Sequence, residues 1–222
     1  MASLTTWAKI QERIWCCDAC IGNPRVAVAI RQQTPAPVVP VQLLLLGVAP
    51  PYQDEIQGRT VANSATNDAT DNLRSFVTDT LSHSWDDLLK SGVFLIHAVK
   101  CAIVPNEKGF QNPPNPVVDV CIPDHFGAEF ALLRASHVVA FGRATLRAIL
   151  KQPGVAVPPR VGVSKTLESI LSQWPDGIPC SLGSQSFTLH VAPFPRTPSA
   201  KRQTARIMRR AAELSGILNT AG

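Results

Sequence analysis

Four stretches of the chain are nearly continuous apolar runs of strand length: 41–48 (VQLLLLGV), 93–99 (VFLIHAV), 137–141 (HVVAF) and 187–192 (FTLHVA). Runs without apolar–polar alternation predict strands covered on both faces. Helical spacing of apolar residues predicts helices at 71–90, 125–135, 143–151, 164–173 and 198–217. Strands alternating with helices predict an α/β fold, a three-layer α/β/α sandwich around a mostly parallel four-stranded central sheet with right-handed crossovers. Ahead of the first strand, 5–15 (TTWAKIQERIW) has the pattern of a short amphipathic helix with Trp7, Ile10, Ile14 and Trp15 on one side. The three prolines of QQTPAPVVP, after Arg31, predict an extended connection. The polar segment 60–72 has no pattern and is expected to be a loop.

Ligands of such sheets bind outside the carboxyl ends of the strands, so the loops after Leu46, Ile96 and Val191 are expected on one rim. The first of these, GVAPPYQDEIQGR, breaks an apolar strand into a proline-stiffened turn bearing the chain's only tyrosine, Tyr52. A rigid turn at a strand's carboxyl end can present backbone N–H and C=O groups at fixed positions.

With 222 residues the chain can build a core without staples, and one domain spanning 1–222, with a cysteine-bearing N-terminal segment at 1–31, is expected. The formal charge is +5, and the excess is concentrated after Arg196, where Lys201, Arg202, Arg206, Arg209 and Arg210 face Glu213 alone. A basic surface attracts polyanions, which puts nucleic acid first among partners. No run of about 18 apolar residues occurs and no basic segment precedes an apolar one at the N-terminus, so a cytoplasmic protein without a membrane partner is expected.

Three of the six cysteines, Cys16, Cys17 and Cys20, fall within five residues. Cys17 and Cys20 make a C-x-x-C, and Cys101 and Cys121 follow with 19 residues between them. Four thiolates suit tetrahedral zinc or an iron–sulfur cluster, and the lack of a second tight C-x-x-C favours the cluster. Cys16 and Cys180 are left over, and spacing leaves open an exchange of Cys16 for Cys17.

These residues resemble the iron–sulfur uracil-DNA glycosylases, family 4 most closely and family 5 less so. CDACIGNPR supplies Cys17, Cys20 and Arg25 of an N-terminal C-x-x-C with a downstream arginine. GVAPPYQDEIQGRTVAN is similar to that family's first active-site motif, with Gly47, Ala49, Pro50, Asp54, Glu55 and Gly58 in register. IHAVKCAIVP matches its second region at Lys100 and Cys101, and SHVVAFGRATL resembles a further strand. The chain departs at Val48 for a glutamate, Val61 for a base-stacking phenylalanine, His97 for a base-reading asparagine, and Ala192–Pro193 for a His–Pro pair, with His190 two residues early.

The resemblance implies a uracil-DNA glycosylase fold and hydrolysis of the N-glycosidic bond of uracil in DNA, with base flipping into a pocket. It implies one [4Fe–4S] cluster held by Cys17, Cys20, Cys101 and Cys121, and catalytic roles for Asp54 and His97. Substrate contacts are expected from Gly47, Val48, Ala49, Pro50, Pro51, Tyr52, Val61, Asn63, Pro193 and Arg196, with Phe194 a candidate wedge. The expected partner of this monomer is uracil-containing DNA, single- or double-stranded. Two alternatives stand beside it: excision of another deaminated base such as hypoxanthine, and a non-catalytic iron–sulfur DNA-binding module.

Overall fold

A computed structural model of the chain describes residues 6–50, 58–61, 72–107, 112–159, 161 and 166–218, of which 28–33, 58–61 and 72 by backbone alone. The strands are β1 (Val26–Gln33), β2 (Leu43–Gly47), β3 (Gly58–Val61), β4 (Val93–His97), β5 (Cys101–Ile103), β6 (His137–Phe141), β7 (Val155–Ala156), β8 (Ile178–Leu182) and β9 (Gln185–Ala192). The helices are α1 (Trp7–Trp15), α2 (Asn72–Leu81), α3 (Trp85–Lys90), α4 (Asn115–Cys121), α5 (Gly127–Leu133), α6 (Arg143–Lys151), α7 (Leu167–Gln173) and α8 (Pro198–Leu214), with a π-helical turn, Ile122–Phe126, joining α4 to α5.

The protein is α/β, and its main sheet is mixed and six-stranded, in the order β4-β2-β6-β9-β8-β7. This corrects the expected four-stranded sheet: β4, β2, β6 and β9 run parallel, and β8 and β7 extend them antiparallel. The two-residue β7 leaves β8 almost an edge strand, where Pro179 is tolerated. A second sheet, β3-β1-β5, was not expected: β1 runs into the start of the expected connection, β3 overlaps the start of the expected loop, and β5 lies in a stretch for which no element was expected.

Alternate side chains of the parallel strands enter two cores. Leu44, Leu46, Phe94, Ile96, Val138 and Ala140 face one, whereas Leu43, Leu45, Val93, Leu95, Val139 and Phe141 face the other, against α2, α3 and α8. Leu43 to Leu46 are fully buried, each side chain contributing about 1.5–3 kcal/mol by leaving water. On α1, Ile10 and Ile14 are buried and Trp7 meets Phe94 edge-on at 5.9 Å, but Trp15 is exposed, because the helix turns it off the apolar stripe.

The helix expected at 71–90 is two helices. Ser82 takes a left-handed φ of 57°, and Ser84 caps α3 by accepting from the Asp87 N–H at 3.2 Å. The helix expected from 125 starts at Asn115, with proline in its first turn. Pro123 removes a backbone donor within the helix that continues from α4, and there the helix widens to the π form.

Candidate functional site

The carboxyl ends of β2, β6 and β9 open on a cavity of about 770 Å³. Val48 and Ala49 after β2, Asn115 and Val118 of α4, Phe141 at the end of β6, Gly142 and Ala144 after it, and Phe194 after β9 line it. Arg143, Arg147 and Arg196 also line it, and no carboxylate does among the described residues. Three guanidinium groups around one cavity suit an anionic ligand, above all a phosphate oxygen pair.

Backbone bonds fix this rim. The β2–β4 ladder continues past both strands, with the Ala98 N–H donating to Gly47 O at 3.0 Å and the Val99 N–H to Val48 O at 2.9 Å. Gly142, at φ 89° where a side chain is strained, donates to Ala192 O at 2.7 Å and ties β6 to β9. Thr204 on α8 donates its hydroxyl to Pro193 O at 2.6 Å, and Thr197 caps α8 by accepting from the Ala200 N–H. Between them the Arg196 guanidinium stands 5.3 Å from the Phe194 ring centre.

His97 ends β4 beside Gly47 in register and is buried. A Cβ at residue 47 would come within 2.5 Å of its ring, so glycine is what lets the imidazole lie there. Burial, and secondarily the Lys100 ammonium, lowers the His97 pKa to about 3. The ring is therefore neutral near pH 7, with one N–H to donate. It is not among the described residues lining the cavity, and sits behind the Gly47 turn.

Beneath His97 runs a buried polar network. Lys100, 1 % exposed, donates to His97 O and pairs with Glu129, which is fully buried. Gln11 on α1 donates to the other Glu129 oxygen at 2.7 Å and accepts from the Thr34 N–H at 3.0 Å, while the Trp7 indole donates to Thr34 O at 2.8 Å. The network bolts α1 and the segment before β2 to the turn after β4.

None of the six cysteines forms a disulfide. Cys101 opens β5 and Cys121 ends α4, both buried, while Cys17 and Cys20 are half-buried and Cys16 is exposed. Cys20 is raised by burial and then by Cys17. Cys121 is pushed up to about 12 by burial, opposed by the Lys100 backbone N–H and raised further by Cys101 and Cys20. The four thiols expected to act together are thus electrostatic neighbours, and Arg25 braces their turn by donating to Val104 O at 2.8 Å. Among the described residues no three His, Cys, Asp or Glu side chains are close enough to hold one metal ion. Four cysteines are a donor chemistry that both zinc and an iron–sulfur cluster accept.

One buried side chain near these thiols has no partner. His125, in the π turn one helical turn after Cys121, is 6 % exposed, and neither ring nitrogen has a hydrogen-bond partner among the described residues.

Of the other expected residues, Gly47 and Pro50 are buried at the base of the loop and Pro193 backs the cavity through Thr204. Pro51, Tyr52, Asp54 and Asn63 lie outside the described residues, and Val61 is described by backbone alone, at the end of β3. His190 lies away from the rim, stacked on His137 with 3.1 Å between ring nitrogens. The basic tail divides: Lys201, Arg202 and Arg206 are exposed along the first half of α8, whereas Arg209 donates to Thr80 O at 2.9 Å and Arg210 pairs with Asp176 at 2.8 Å. Arg143 and Arg147 were not anticipated, although a glycine after a strand followed by arginines at i and i+4 carried the signal. No described helix is long and apolar enough to cross a membrane. No protein-family model matches the chain, and no curated protein is similar to it.

Proposed function

We propose that this chain is a DNA glycosylase that removes uracil, built on a uracil-DNA glycosylase type of sandwich to which β7 and β8 are added. The observation that carries the reading is the cavity on the carboxyl rim, with Arg143, Arg147 and Arg196 and no described carboxylate. A flipped nucleotide brings a base into the cavity and leaves its phosphates at the mouth. The exposed Lys201, Arg202 and Arg206 continue that charge along α8, so the DNA backbone has a track of cations to follow.

In the reaction a water oxygen bonds to the sugar C1′ as the C1′–N1 bond breaks, its electron pair leaving with the base. The water's proton passes to a base, the expected part of Asp54 being to orient that water or offset the charge on the sugar, and the departing pyrimidine anion is protonated from solvent. Donors to the anion lower the barrier, each by about 10²–10³ in rate in comparable oxyanion sites. His97, expected in that role, is a neutral imidazole but lies behind the Gly47 turn, so among the described residues the side-chain donors that line the cavity are Asn112, Asn115, Arg143, Arg147 and Arg196.

Cys17, Cys20, Cys101 and Cys121 would hold the cluster, which supplies a cross-link between the N-terminal turn, β5 and α4. The influence of Cys17 on Cys20, and of Cys101 and Cys20 on Cys121, supports this set.

The test is incubation of anaerobically purified protein with single- and double-stranded oligonucleotides containing uracil or hypoxanthine, followed by alkali. Scission at uracil is expected. Scission at hypoxanthine alone would move the substrate, and no scission by protein with full iron absorbance would leave only DNA binding.

A further inference from the structure

His125 is the buried group that neither the fold nor the reaction explains. A core histidine is normally held by its hydrogen bonds, as His190 is by His137 at 3.1 Å. His125 has none among the described residues. The Asp124 backbone lies near enough to favour its protonated form slightly, but without hydrogen-bond geometry. A buried polar atom left unsatisfied destabilises the fold, whereas a leucine would fill the space without that cost.

Its surroundings define the missing partner. Burial and the cations Lys100 and Arg13 lower its pKa, so it is neutral and carries one N–H. Lys100 acts on Cys121 as well as on His125. Residues four apart along a helix share a face with Cβ atoms about 5–6 Å apart, and the wider π turn keeps this alignment. The Cys121 thiol and the unpartnered His125 ring thus share one face of the helix, with Lys100, itself paired with Glu129, acting on both and the Asp124 carboxylate opposing it at His125; what the ring lacks is an acceptor, such as a buried anion. A four-thiolate iron–sulfur cluster is such an anion, and hydrogen bonds to its sulfurs are among the terms that set its potential.

We propose that His125 donates a ring N–H hydrogen bond to the sulfur shell of the cluster, at the Cys121 thiolate or an inorganic sulfide. The proposal rests on the four-cysteine reading. His125 is a positioning residue: it touches the cofactor's ligand sphere and stabilises the more reduced, more negative cluster against loss in air.

The test uses full-length protein grown with ¹⁵N-histidine and purified without oxygen, as wild type, His125→Leu and His125→Gln. Pulsed electron paramagnetic resonance of the reduced cluster should show a ¹⁵N coupling in the wild type that His125→Leu lacks. Iron per chain should match in all three, while the potential shifts negative and the half-life of the absorbance in air falls several-fold in His125→Leu, with partial recovery in His125→Gln. Full iron with no coupling and an unchanged potential would overturn the role of His125 and leave the cluster standing. Protein without iron would overturn both. If His125→Leu fails to fold, the wild-type coupling and the glutamine variant decide.

Discussion

Gly47→Ala tests whether the site is built as described, because a single methyl group separates two accounts of that glycine. Gly47 has no left-handed φ, so alanine meets no backbone strain there, and a glycine required only by the turn would accept it. In the structure the new Cβ would lie 2.5 Å from His97 Cδ2 and 2.8 Å from Nε2, closer than carbon and nitrogen atoms can approach. The ring is buried on β4, whose parallel register with β2 holds it beside Gly47, so it must rotate off its rotamer or push the strands apart. Overpacking of this kind costs about 1–3 kcal/mol. At a urea dependence of about 2 kcal/mol per molar, a loss of 2 kcal/mol lowers the midpoint by about 1 M. The double variant Gly47→Ala/His97→Ala removes the clash, so its loss should fall short of the sum of the singles by about 1 kcal/mol or more. Urea denaturation of the four proteins, with slopes checked for constancy, measures this. Additivity within about 0.5 kcal/mol would refute the contact, and with it the assignment of His97 to the Gly47 turn.

Three further outcomes are expected. Lys100→Met should destabilise by about 3–5 kcal/mol because Glu129 is left buried and unpaired, and adding Glu129→Gln should recover much of the loss; thermal or urea unfolding with an undiminished double variant loss would contradict a paired network. Arg143→Ala, Arg147→Ala and Arg196→Ala should each reduce the slope of log affinity against log salt by about 1 for single-stranded DNA, whereas Arg210→Ala, whose guanidinium is engaged with Asp176 and Glu213, should leave it unchanged; equal slopes throughout would separate the cavity from DNA binding. Burial, then the neighbouring His137, holds His190 at about 4, with Arg210 lowering and Asp176 raising it, so the folded ring stays neutral while the unfolded ring gains a proton below about 6.5; stability should fall by about 1.4 kcal/mol per pH unit on this account between those values, and His190→Gln should remove that share of the acid sensitivity, a variant with an unchanged pH profile refuting it.

The parallel core was legible because burial on both faces writes an unbroken apolar run, and Leu43 to Leu46 could be little else. The second sheet was not, since β1 and β3 pair at a distance along the chain and β5 has only three residues, too few to carry a period. Local signals existed where the helices were misjudged. The Ser84-x-x-Asp87 spacing marks the start of α3, and the prolines before and after Asn115 mark the start of α4. An apolar period extending across the break at Ser82 outweighed the first of these signals, which is how two short helices came to resemble one.

The site divides along the same physical line. Topology alone placed Val48, Ala49 and Arg196 on a rim, because the carboxyl ends of parallel strands point one way whatever the side chains are. The partners of Lys100 lay beyond such reasoning: Glu129 is 29 residues away, and Gln11 is 118 residues from Glu129. The protonation of His97 is likewise a property of its surroundings, since the same residue in solvent would be half-charged near pH 6.5. Burial changes what that residue can do. An exposed histidine at the rim would compete as a proton donor, whereas one held at about 3 can only offer a fixed N–H dipole. The Lys100–Glu129 pair beneath it keeps a positive charge near that ring without releasing it to solvent. A polar network therefore links α1 and α5 to the turn after β4, with Lys100 at its centre.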